Sequence, residues 1–132
     1  MNLLALIIFS LLYANFLRWF DWLLITIICG LLISFAIFLL NPDVTAYVGF
    51  SGLIHSLFFY IALIFMRKKY REGWIIFALL GGKLIWEQFV GALPGSELTA
   101  GGPVLVDAHL YGAVSGILLA SIVSWYTASS TK

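Results

Sequence analysis

Long apolar runs alternate with short polar interruptions along this chain, and the runs are too continuous for the one-sided surface helices of a soluble domain. A helix crosses the hydrocarbon of a bilayer with about 20 apolar residues, and the interruptions divide the sequence into pieces of about that length. About five segments are expected: Asn2 to Leu17, which is short; Trp22 to Leu40, closed by the helix-stopping Asn41-Pro42-Asp43; Val44 to Met66; Trp74 to Val90; and Val104 to Tyr126. The stretch GALPGSELTAGGP between the last two reads as a Gly/Pro/Ser loop at the water interface. The pattern therefore predicts an all-α, polytopic membrane helix bundle, a single domain over residues 1–132 without tandem repeats.

Composition supports the membrane assignment: 63% of the 132 residues are hydrophobic and 10% are charged, far from the balance of soluble domains. The lipid bilayer is thus a partner, while a net charge of +1 with no basic stripe gives no reason to expect a nucleic acid. One cysteine, Cys29, excludes an internal disulfide, and its apolar neighbours suggest ordinary packing. The start of the chain has neither a basic region nor a small-residue cleavage motif, so the first apolar run is expected to belong to the mature fold. If the segments alternate in direction, Arg18, Arg67, Lys68, Lys69, Arg71 and Lys132 share one side, and the loops opposite carry Asp43, Glu97 and Asp107 without any Lys or Arg. The positive-inside rule then places Met1 outside and Lys132 in the cytoplasm.

Polar groups inside spans are costly and mark function or a wet cavity. The groups needing an account are Ser51 with His55, His109 with Asp107, Lys83 with Glu87 and Gln88, and Asn2. With the segments above, Ser51 lies about seven residues, or roughly 10 Å, into the third span, and His109 about five residues, or roughly 8 Å, into the fifth from the same side. The two are expected to meet. A serine beside a neutral imidazole is the minimal activated nucleophile, because the hydroxyl attacks only as a base removes its proton. His55, at i+4 from Ser51 on the same helix, competes for the role of base, since helical side chains lean toward the N-terminus. Gly49 and Gly52 flank the serine, and Gly112 and Gly116 form a G-x-x-x-G ridge below His109, which suits close helix packing. Asp107 stands near the start of the fifth segment, where an acid suits the helix dipole. Lys83 and Glu87, at i and i+4, are placed to pair with each other in the bilayer.

G-F-S-G at 49–52 followed by A-H-L-Y-G-A-V-S-G at 108–116 resembles the paired motifs of the rhomboid intramembrane serine proteases, and YVGFSGLIHS, KLIWEQFVG and VDAHLYG look like the rhombosortase branch of that family. The resemblance spans nearly all of the chain. It implies a Ser51 nucleophile with His109 as general base, a dyad needing no third carboxylate, and places His55 where relatives often hold a tyrosine against the catalytic imidazole. It also implies oxyanion donors from the Ser51 backbone N–H and from a His and an Asn four residues apart. Asn2 matches that Asn; the His would precede Met1, and the first core helix and the outer start of the second would be absent, so an upstream start, a fragment or a degenerate copy is expected. In such proteins the fourth segment borders the lateral entrance for substrate, which makes Lys83, Trp86, Glu87 and Gln88 entrance candidates. The implied substrates are membrane-anchored exported proteins of Gram-negative bacteria, cleaved at a C-terminal anchor with a Gly-Gly motif, an apolar span and a basic end (GlyGly-CTERM).

The expected location is the bacterial inner membrane, with the active site toward the periplasm. No cofactor is expected, and His55, His109 and distant Cys29 do not form a metal-ligand set. The alternative is a catalytically inactive rhomboid-like protein that binds transmembrane anchors. A proton-coupled transporter using Lys83, Glu87, His55 and His109 fits less well, because inverted repeats are lacking.

Overall fold

The computed structural model describes residues 2–45, 47, 49–100 and 102–129, with helices and no strand among them. Helix α1 (Asn2–Tyr13) runs into a 3-10 turn (Ala14–Phe16); α2 (Trp19–Leu40), α3 (Ser51–Arg67), α4 (Arg71–Val90), the short α5 (Ser96–Ala100) and α6 (Val106–Ser129) follow. In hydrocarbon every backbone N–H and C=O must find a partner within the fold, so these Leu-, Ile- and Phe-rich runs become helices. Helices α2, α4 and residues 106–126 of α6 are long and apolar enough to cross a membrane, with mean hydropathies of 3.0, 1.3 and 1.6. Residues 2–16 and α3 are shorter apolar helices. The chain is a polytopic helical membrane protein.

Local chemistry sets the ends. The Asp21 carboxylate accepts a 2.8 Å hydrogen bond from the Arg18 N–H and so caps α2. Leu40 is followed by Asn41-Pro42, which cannot continue a helix. At the end of α3, Lys69 takes a left-handed conformation (φ 62°), and the Tyr70 and Lys69 N–H groups donate back to the Phe65 and Met66 carbonyls at 2.9 and 3.0 Å. The Tyr70 ring completes this stop by packing on Phe65, 5.4 Å between centroids.

Two boundaries differ from the sequence reading in ways that matter. The third segment is expected to be helical from Val44, yet α3 begins at Ser51, and residues 41–45, 47, 49 and 50 are non-helical. The loop before α6 contains α5 within a stretch read as irregular.

Helix α3 lies at the centre, packed by α6, α4, α2 and α1. Its lower half enters a core of Phe9, Ile25, Cys29, Leu57, Ile61 and Phe65. Against α6 the approach is backbone to backbone. A Cβ on Gly52 would lie 2.7 Å from the Ala108 carbonyl oxygen; one on Gly112 would overlap the Gly52 carbonyl, and one on Gly116 the Ser56 carbonyl. Ser56 and Ser115 hydroxyls meet across this seam at 3.2 Å, as small-residue faces permit in membranes. Outward, Leu11, Phe38, Leu79, Phe89 and Ile122 are exposed, an apolar girdle of the kind that lipid covers.

The helices alternate in direction. Phe16 packs on Phe65, 4.9 Å between centroids, so the α1–α2 and α3–α4 connections share one end of the bundle. That end carries Arg18, Arg67, Lys68, Lys69 and Arg71, while the starts of α1, α3 and α6 gather at the other. Lys132 lies outside the described residues.

Candidate active site

The end opposite the basic residues holds a cavity of about 550 Å³, lined by Asn2, Tyr47, Ser51, His55, Lys83 and His109 among others, within the usual range for ligand sites. Ser51 is the first residue of α3, not the seventh of a longer span. Its N–H is therefore one of the helix-start donors that have no acceptor within the helix. Gly49 sits so close beneath the Tyr47 ring that a Cβ would lie 2.6 Å from the Tyr47 oxygen. The same hydroxyl would lie 3.4 Å from a Cβ on Gly52, so it also sits against the first turn of α3. The Tyr47 hydroxyl is buried with no hydrogen-bond partner among the described residues.

His109 lies on the first turn of α6. That turn is tied to the end of α2: the Asn41 amide donates to the Asp107 carboxylate at 2.8 Å, and the Tyr111 hydroxyl donates to the Asn41 amide oxygen at 2.8 Å. Asp107 also sits in the first turn of α6, near its positive end.

The Ser51 hydroxyl and His109 Nε2 are 2.9 Å apart. On the far side of the ring, Nδ1 is 2.9 Å from a Glu87 carboxylate oxygen. A carboxylate only accepts, so the Nδ1 proton donates to Glu87 and leaves the Nε2 lone pair to receive the serine hydroxyl. The other Glu87 oxygen pairs with the Lys83 ammonium at 2.7 Å. Lys83 also donates to His55 Nε2 at 3.1 Å, and His55 Nδ1 donates to the Ser51 carbonyl at 2.7 Å. The imidazole of His55 thus reaches back to the backbone of Ser51 rather than to its hydroxyl. The two histidine rings stack, 4.3 Å between centroids and 15° from parallel.

His55, Glu87 and His109 bring three metal-capable ligand atoms within 4.8 Å of one another. The Lys83 nitrogen occupies their focus, at 2.7 Å from Glu87, 3.1 Å from His55 and 3.3 Å from His109 Nδ1. A cation is already built into the position a metal would take.

Of the entrance candidates, Lys83 and Glu87 line the cavity, and Glu87 is only 2% exposed. Trp86, 47% exposed, and Gln88 face away from the bundle. Gly112 and Gly116 lie in the α3–α6 seam. The link from Glu87 to His109 and the cavity position of Tyr47 escaped the sequence reading. The i, i+4 spacing with Lys83 had supplied an adequate partner for Glu87, and Tyr47 reads as one more aromatic in an apolar run.

A hydroxyl, an imidazole and a carboxylate in series beside a cavity of ligand size suit acyl transfer. Comparison with curated proteins and with solved structures yields no match. The sequence profile of the Rhomboid domain matches residues 1–126. The chain belongs to the rhomboid family, the intramembrane serine proteases.

Proposed function

We propose that this chain is an intramembrane serine peptidase of the rhombosortase type, with Ser51 as nucleophile and His109 as general base. The observation that carries the reading is the 2.9 Å contact between the Ser51 hydroxyl and His109 Nε2 at the wall of the cavity. A substrate anchor unwinds near its outer end, where glycines make unwinding easy. Its carbonyl carbon then meets the Ser51 oxygen. As the oxygen–carbon bond forms, the hydroxyl proton passes to His109 Nε2. The same proton then goes to the leaving amine as the peptide C–N bond breaks. Water then attacks the acyl carbon as His109 Nε2 takes its proton, and that proton passes to the Ser51 oxygen as the ester C–O bond breaks. The oxyanion faces the Ser51 N–H at the start of α3, where the helix dipole favours negative charge, with the Asn2 side chain on the same cavity.

Likeness to rhombosortases in YVGFSGLIHS, KLIWEQFVG and VDAHLYG supports a C-terminal anchor with a Gly-Gly motif as substrate, carried by an exported protein. The gathering of Arg18, Arg67, Lys68, Lys69 and Arg71 at the end away from the cavity supports an orientation with that end in the cytoplasm and the cavity toward the periplasm of an inner membrane.

The test is labelling by a fluorophosphonate probe in membranes, together with cleavage of a reporter bearing a Gly-Gly anchor. Ser51→Ala abolishes both, and His109→Ala reduces labelling to background. Replacing the Gly-Gly of the reporter with Leu-Leu slows its cleavage. A chain that captures the reporter yet neither labels nor cuts is an anchor-binding protein, and the peptidase reading fails.

A further inference from the structure

Resting on the peptidase reading, we infer that Glu87 is the third member of a Ser51–His109–Glu87 relay, a positioning residue that fixes the tautomer of the base, with Lys83 fixing Glu87 in turn. The observations are geometric. Glu87 is nearly inaccessible, and each of its carboxylate oxygens has one committed partner, His109 Nδ1 at 2.9 Å and Lys83 at 2.7 Å. Serine, imidazole and carboxylate stand in series on three helices, α3, α6 and α4, so the arrangement is tertiary and not a by-product of one helix.

The chemistry follows from hydrogen-bond capacity. Neutral imidazole carries one N–H, and attack by Ser51 requires it on Nδ1 so that Nε2 is free to take the hydroxyl proton. Only an acceptor at Nδ1 enforces that choice, and the Glu87 carboxylate is one. When Nε2 has gained the serine proton, the imidazolium lies against this carboxylate, which stabilises the positive charge without itself becoming protonated. Lys83 neutralises Glu87 in the resting state and holds its second oxygen. His55, bridging Lys83 to the Ser51 carbonyl and stacked on His109, closes the circuit.

Lys83 also makes the proposal sharply testable through Glu87→Gln. An ammonium only donates, so it turns the glutamine carbonyl toward itself and the glutamine NH2 toward His109 Nδ1. Nδ1 must then accept, the ring proton moves to Nε2, and the base is blocked. Labelling of Ser51 and kcat for the reporter are expected to fall on the order of 10³ to 10⁴-fold, with KM little changed. In the double variant Lys83→Met/Glu87→Gln the amide is free to turn, its carbonyl accepts from Nδ1, and the rate recovers by about tenfold or more over Glu87→Gln. The protein has two histidines, so 15N NMR of histidine-labelled protein in detergent reads the tautomers directly. Both are Nδ1-protonated in the parent chain, and one switches to Nε2-protonated in Glu87→Gln.

Circular dichroism and thermal unfolding of each variant separate these effects from misfolding, and the double variant leaves no unpaired charge in the membrane. A folded Glu87→Gln that labels at the parent rate with unchanged tautomers overturns the relay while leaving Ser51 and His109 in place. A parent chain whose Ser51 takes up no probe overturns the peptidase reading and the relay with it.

Discussion

Along the seam of α3 and α6 the contacts are made by backbone, with Gly52, Gly112 and Gly116 against facing carbonyls. Along the flank where α1 meets α2 and α3 they are made by rings, with Phe9 against Tyr13, Trp22 and Phe58 at centroid distances of 5.0, 5.3 and 4.9 Å. The difference has a physical cause. Apolar side chains gain little by leaving lipid for another apolar surface, so a ring-packed flank holds through shape alone and tolerates other shapes. A seam of glycines and small serines, with backbone against backbone, fixes the interhelical distance, and through it the separation of Ser51 on one helix from His109 on the other.

The largest effect that sharpens this contrast is expected from Gly112→Val, whose side chain collides with the Gly52 backbone. Fluorophosphonate labelling of Ser51 should fall by about 100-fold, the usual result of displacing reacting groups by an ångström. A labelling rate within twofold of the parent would show that the seam does not set the site. Asp107→Ala leaves the Asn41 amide without its acceptor, and detergent unfolding should report a loss of about 1–3 kcal/mol. Phe9→Leu, on the ring flank, should cost about 1 kcal/mol and leave the labelling rate unchanged. Any large loss of rate there would dissolve the distinction between the two regions. Smallest is Ser56→Ala, which removes the hydroxyl pair with Ser115 across the seam, for about 0.6 kcal/mol by the same unfolding assay.

Much of the architecture was legible because lipid imposes a simple code. Runs such as Trp22 to Leu40 read as helices by length and hydropathy, and α2 differs from that span only by including Trp19, Phe20 and Asp21. The start of α3 was not legible. Val44 to Phe50 is as apolar as the helix it precedes, and nothing local reveals that residues 44, 45, 47, 49 and 50 stay outside the helix. Ser51 and His109 could be singled out from their glycine-bearing motifs. Glu87 could be seen only as a neighbour of Lys83, because its approach to His109 depends on how α4 leans on α6. A helical wheel carries no information about that lean. Trp86 and Gln88 share the sequence neighbourhood of Glu87 but not its helix face, and both are exposed.

The late start of α3 has a consequence for the cavity. Its 17 residues reach about 26 Å at roughly 1.5 Å per residue, less than the roughly 30 Å of an average hydrocarbon layer. Because α3 is enclosed by α1, α2, α4 and α6, the missing length appears inside the bundle, above Ser51. The shortness of one central helix thus leaves room for the cavity that Ser51 lines.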